Sequence, residues 1–119
     1  MNPRDPRPRS VTVDDITRVV GLRCSQCRYP TATFTLRCPL CFGDMVDTTF
    51  GPDGQVFAST VLRVGVIDRE PPFGIAYLSI DDGPRVLVHT PGDKALDVGS
   101  RATLLPGDGD LYVRPIERD

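Results

Sequence analysis

From Gln55 onward, apolar and polar residues fall into short runs separated by turn residues, and no stretch keeps the 3.6-residue period of an amphipathic helix. The first run, Gln55 to Ile67, is long for one strand and contains Gly65, which predicts a bend or bulge that lets the strand serve two sides of a barrel. Pro71-Pro72 forbids regular pairing, so Asp68 to Pro72 reads as a loop. Phe73 to Ile80 and Arg85 to Thr90 flank Asp81-Asp82-Gly83-Pro84, and a turn on Asp82-Gly83 would fold them into a hairpin. A longer connection over Pro91 to Gly99 leads to a last pair of strands, Arg101 to Leu105 and Leu111 to Arg114, around Pro106 to Asp110. Five strands in this order predict a small Greek-key barrel of the OB type; an immunoglobulin-like sandwich would want about seven.

Upstream of the barrel the texture differs. Met1 to Ser10 has three prolines and three arginines and reads as a disordered or extended tail. Thr12-Val13-Asp14-Asp15 could cap one helical turn before Ile16, and Val19 to Arg23 looks like a strand. Asp44 to Phe50 has strand character, and Gly51-Pro52-Asp53-Gly54 is a turn.

Between these strands lie all four cysteines of the chain, as Cys24-Ser25-Gln26-Cys27 and Cys38-Pro39-Leu40-Cys41. Each CxxC forms a tight turn that aims two thiolates at one point, and Arg28 to Arg37 is long enough for a short hairpin that brings the second turn back to the first. Four thiolates favour zinc or iron over harder ions, and a closed set of four leaves no coordination position for activating water, so a structural zinc is expected. Disulfides are disfavoured because no signal peptide precedes the cysteines, and a redox dithiol would need one CxxC opening a helix. Metal knuckles usually carry Gly after the second Cys, where the backbone prefers φ > 0; here Arg28 and Phe42 stand in those places, with Gly43 one residue late.

The division expected is a tail over residues 1–18, a zinc ribbon over 19–50 and an OB barrel over 51–119, an all-β chain. Its 119 residues, 39% hydrophobic and 25% charged, suit an ordinary globular protein without a membrane span, and the compartment expected is the cytoplasm. Net charge is −2, but residues 1–23 carry +2 and residues 45–119 carry −5, which opposes a footprint on phosphate backbones. No catalytic constellation stands out: His89 is the single histidine, Asp81-Asp82 is turn chemistry, and Gly107 to Asp110 lacks the spaced ligands of a calcium loop.

Both parts together resemble the family that joins a rubredoxin-like zinc ribbon to an OB fold, domain of unknown function thirty-five, described as acyl-CoA-associated. The resemblance spans Val19 to Pro115 and rests on the two CxxC knuckles with Cys38-Pro39, Gly54-Gln55-Val56 leading into Ser59-Thr60-Val61, Pro71-Pro72-Phe73-Gly74-Ile75-Ala76-Tyr77-Leu78, Ile80 to Val86, Val98-Gly99 and Val113-Arg114-Pro115. Many members begin with one or two helices, which this chain replaces with its proline-rich tail. The resemblance implies a non-enzymatic accessory subunit in a hetero-oligomer with a thiolase-superfamily enzyme of lipid or polyketide metabolism. There it would help hold or transfer acyl-CoA intermediates, contacting the CoA thioester through the partner.

For the partner or acyl-CoA surface the rigid, apolar Pro71-Pro72-Phe73-Gly74 loop is the first candidate, with Tyr77 and Arg85 beside it. Two competing readings are a nucleic-acid-binding ribbon and OB module, and an electron carrier of the rubredoxin kind. An OB fold that stacks bases displays aromatics on its second and third strands; Phe73 and Tyr77 sit on the second, but core packing is expected to absorb them and Phe57.

Overall fold

The computed structural model describes residues 8–65, 70–107 and 109–116, so the first seven residues of the expected tail, Val66 and Ile67 of the expected first run, Asp68 and Arg69 of the expected loop, Asp108 of the last turn and the last three residues of the expected barrel lie outside the described residues. The described residues form nine strands and no helix. Four make the ribbon sheet: β1 (Ser10–Val13), β2 (Ile16–Cys24), β3 (Pro30–Thr31) and β4 (Met45–Phe50). The other five are β5 (Asp53–Leu62), β6 (Phe73–Ile80), β7 (Arg85–His89), β8 (Arg101–Leu105) and β9 (Tyr112–Pro115), closed in the order β5-β6-β7-β9-β8. This is the all-β ribbon-plus-barrel architecture expected from the sequence.

Closure needs one parallel contact. His89 pairs with Tyr112 between β7 and β9, and the His89 N–H donates to the Leu111 carbonyl at 2.8 Å; every other barrel pairing is antiparallel. The bend expected at Gly65 lies instead at Phe57, where the β5–β6 register slips between Val56 and Ala58. The physical reason is a change of neighbours. Asp53 to Gln55 pair with β8, the Val56 N–H and carbonyl bond Ser100 and Gly99, and beyond that point β5 follows β6 alone, so the extra residue sits where the strand must turn away.

Two expectations near the N-terminus are corrected. Thr12 to Asp15 do not cap a helix: Asp14 and Asp15, at φ 52° and 65°, form the two-residue turn of a hairpin that pairs Val13 with Ile16 and Ser10 with Val19. The tail expected over residues 1–18 therefore gives its second half to β1 and the start of β2. In the hairpin expected over Arg28 to Arg37, only Pro30–Thr31 pairs with β2 as a strand.

Alternation builds the core. On β6, Ala76, Leu78 and Ile80 point inward, and Val86 and Val88 of β7, Ala102 and Leu104 of β8 and Val113 of β9 meet them. Val19 and Phe50, at the base of the ribbon sheet, belong to the same cluster, so ribbon and barrel share one core. Gly83 lets the β6–β7 turn rest on Phe50, whose ring carbon would lie 2.9 Å from an added Cβ.

Candidate functional site

The cysteines come together because β2 delivers Cys24 and Cys27 to one end of the ribbon, and an isolated bridge between Arg37 and Asp44 folds the second knuckle back onto them. Arg37 and Asp44 also form an ion pair across the base of this hairpin. All four Sγ atoms lie within 4.8 Å of one another, with Cys24–Cys41 at 3.4 Å and Cys27–Cys38 at 3.5 Å. A tetrahedral ion bound at ~2.3 Å separates its sulfurs by roughly 3.8 Å, so the cluster has the dimensions of a closed four-thiolate site.

Backbone amides prepare the sulfurs for negative charge. The Gln26 and Cys27 N–H groups donate to Cys24 Sγ at 3.4 Å, and the Leu40 N–H donates to Cys38 Sγ at 3.4 Å. Led by the Cys27 amide and against the pull of burial, these contacts lower the Cys24 thiol to about 6. At Cys27 the Tyr29 amide favours the thiolate, but desolvation and the sulfurs of Cys38, Cys41 and Cys24 prevail and push it up to about 12. Burial raises Cys38, yet the Cys41 and Leu40 amides outweigh it and the net shift is downward. Without a cation the four thiols cannot all ionise together; with one, four thiolates are satisfied at once. The missing glycines do not prevent the knuckle geometry. Arg28 and Phe42 adopt φ of 70° and 61°, the left-handed backbone that Gly would otherwise supply.

The residues expected to form the partner surface divide into two groups. Pro71 and Pro72 are exposed, Tyr77 is 49% exposed and Arg85 is exposed, whereas Phe73 and Gly74 are buried. Gly74 is covered by the β7–β8 connection: a Cβ there would lie 1.9 Å from Thr90 Oγ1 and 2.3 Å from the Lys94 carbonyl. Phe57 and Tyr77, expected in the core, instead stand outside β5 and β6, and the Arg85 guanidinium lies 3.5 Å above the Phe57 ring. With Leu87 they make an apolar stripe on the outer barrel face. His89 packs between the Phe73 and Tyr112 rings, its Nε2 3.5 Å from Asp110 Oδ2.

Two features escape the sequence patterns. Arg23, one residue before the first cysteine, donates to the Arg28 carbonyl at 2.9 Å, lies 5.2 Å over the Phe50 ring and reaches both the carbonyl and the carboxylate of Asp82, so it ties the first knuckle to the barrel's β6–β7 turn. The ribbon tip carries Phe34, Leu36, Leu40 and Phe42 at 61%, 83%, 68% and 76% exposure. The available signal was Phe42 itself, a bulky apolar residue where the knuckle favours Gly.

No family model and no curated protein matches the chain. Solved structures do. A chain of the structure named "Ltp2-ChsH2(DUF35) aldolase" matches with a TM-score of 0.66 and 25% identity, over 82% of this chain and 84% of the other. A protein of unknown function from the DUF35 family of Sulfolobus solfataricus matches with a TM-score of 0.64 and 20% identity, over 83% of this chain and 76% of the other. The resemblance to the DUF35 family read from the sequence is borne out: the solved neighbours are DUF35 proteins, and the four-cysteine cluster fits a zinc ribbon.

Proposed function

We propose that this chain, built on the DUF35 fold, is a non-catalytic accessory subunit. It binds a thiolase-superfamily enzyme and helps hold or hand over acyl-CoA intermediates while the partner performs acyl transfer, condensation or retro-aldol cleavage. The observation that carries this reading is the match, along most of both chains, to a DUF35 chain named together with an aldolase. The ion assigned to Cys24, Cys27, Cys38 and Cys41 is zinc, in a structural role, because soft thiolates fill all four positions. A red protein with a reversible one-electron couple would assign iron instead. The four-thiolate ribbon and the shared core present a rigid shape, which lowers the ordering cost of binding. No helix among the described residues is long and apolar enough to cross a membrane, and the compartment assigned is the cytoplasm, where thiols stay reduced.

Affinity purification of the tagged chain from its native host, followed by identification of co-purifying proteins, tests the reading. An acyl-CoA enzyme of the thiolase fold is expected in stoichiometric amount; its absence from the purified complex sinks the proposal. A second reading, a single-strand-binding module, is favoured by Phe57, Tyr77 and Arg85 on the outer barrel face and opposed by the −5 charge of residues 45–119. Salt-sensitive binding of a single-stranded oligonucleotide, abolished by Tyr77→Ala, would establish it in place of the first.

A further inference from the structure

We infer that the ribbon tip, carried by Phe34, Leu36, Leu40 and Phe42, is the docking surface for the partner protein, and that it fits an apolar groove on that partner. The inference rests on the accessory-subunit reading for the identity of that partner. The first argument is backbone conformation. Phe42 holds φ at 61°, a region bulky side chains avoid, and its ring is 76% exposed, so no packing within the chain offsets that strain.

The second argument is area. A Phe side chain can bury ~150–250 Å², so at their observed exposures Phe34 and Phe42 alone leave roughly 200–350 Å² in solvent, and the leucines bring the tip to about 500 Å². That is well over half of the ~800 Å² each partner contributes to a standard interface. The barrel stripe is a weaker candidate because the Arg85 guanidinium already covers one face of Phe57.

Charge leaves apolar contact to choose the partner's chemistry. Arg37 is ion-paired with Asp44, and four thiolates around a divalent ion carry a negative charge that offsets Arg28, so the complement of the tip is an apolar groove and not a charged one. Nucleic acid fits less well, since Arg37 is already paired with Asp44 and Arg28 alone neutralises few phosphates beside the exposed Phe34 and Phe42 rings.

Phe42→Gly separates docking from folding, because glycine relieves the backbone while removing the ring. The zinc-loaded variant should keep its metal stoichiometry and melt no lower than the parent, yet bind the co-purified enzyme about 30-fold or more weakly by calorimetry. Leu40→Ser should weaken binding similarly, and Val98→Ser, distant in sequence on an exposed loop, should not. A photo-cross-linking amino acid substituted for Leu36 in the native host should give an adduct with that same enzyme. Affinity unchanged by Phe42→Gly but lost on Tyr77→Ser moves the contact to the barrel and overturns the inference while leaving the accessory role intact. Loss of binding to a captured protein that is no acyl-CoA enzyme keeps the docking surface and removes the accessory role. No adduct, an adduct with nucleic acid or an adduct with a second copy of the chain overturns the docking surface itself.

Discussion

A methyl group added at Gly74 has nowhere to go, with the Thr90 hydroxyl and the Lys94 carbonyl both well inside contact distance. Gly74→Ala should therefore lower stability by about 1–3 kcal/mol in urea titration, as overpacking does. Gly107→Ala, with open space around it, should stay within about 0.5 kcal/mol, and equal effects at the two sites would remove the packing explanation. At this scale the cysteines were legible because CxxC spacing is local chemistry. Phe73 and Gly74 were not: adjacent strand residues normally face opposite sides, and both are buried because the β7–β8 connection covers what would be the outer one. Phe57 and Tyr77 misled in the other direction, since hydrophobic residues are common on surfaces and sequence gives no sign of which face a closed barrel leaves bare.

Among elements, the most specific polar tie joins the β6–β7 turn to β8. Arg101 holds Asp81 through both carboxylate oxygens, one at 2.8 Å, and this hydrogen bonding holds the carboxyl below its ordinary 3.8. A depressed carboxylate stabilises the fold fully above its unfolded value and loses that contribution as pH falls through the folded one. Stability should thus drop more steeply below pH 3.8 in the parent than in Asp81→Asn, and the difference should shrink in high salt because the pair is exposed. Thermal melts across acidic pH check this, and parallel profiles would discard the tie. The barrel strands were readable because proline and glycine punctuate them; β6 and β8 begin and end where the residues predict. The β1–β2 hairpin was hidden because Thr and Asp serve helix caps and left-handed turns equally well, and only pairing with Ile16 to Val19 decides between them.

For the whole molecule, the shared core divides what metal loss can damage. The core cluster includes Val19 and Phe50 but no cysteine. Chelation, or Cys38→Ser, should release one equivalent of zinc and free residues 25–44, while amides of β6 and β7 keep their protection in hydrogen exchange. Simultaneous loss of barrel protection would show that the ribbon and barrel fold as a single cooperative unit. Arg23→Ala should leave metal content intact but raise exchange at the β6–β7 turn, because the guanidinium is what reaches from the knuckle to Asp82.

The barrel closes on itself, but the ribbon sheet does not. β2 carries β4 along one side and β1 on the other, so Ser10–Val13 is the strand that keeps the Ile16 to Val19 backbone from lying open. Trimming the chain before Asp14 would strip that cover and leave Ile16 to Val19 as a bare template for strand addition. The proline-rich beginning thus leads into a guard against aggregation, and a shortened protein should precipitate at concentrations where the full chain remains dispersed.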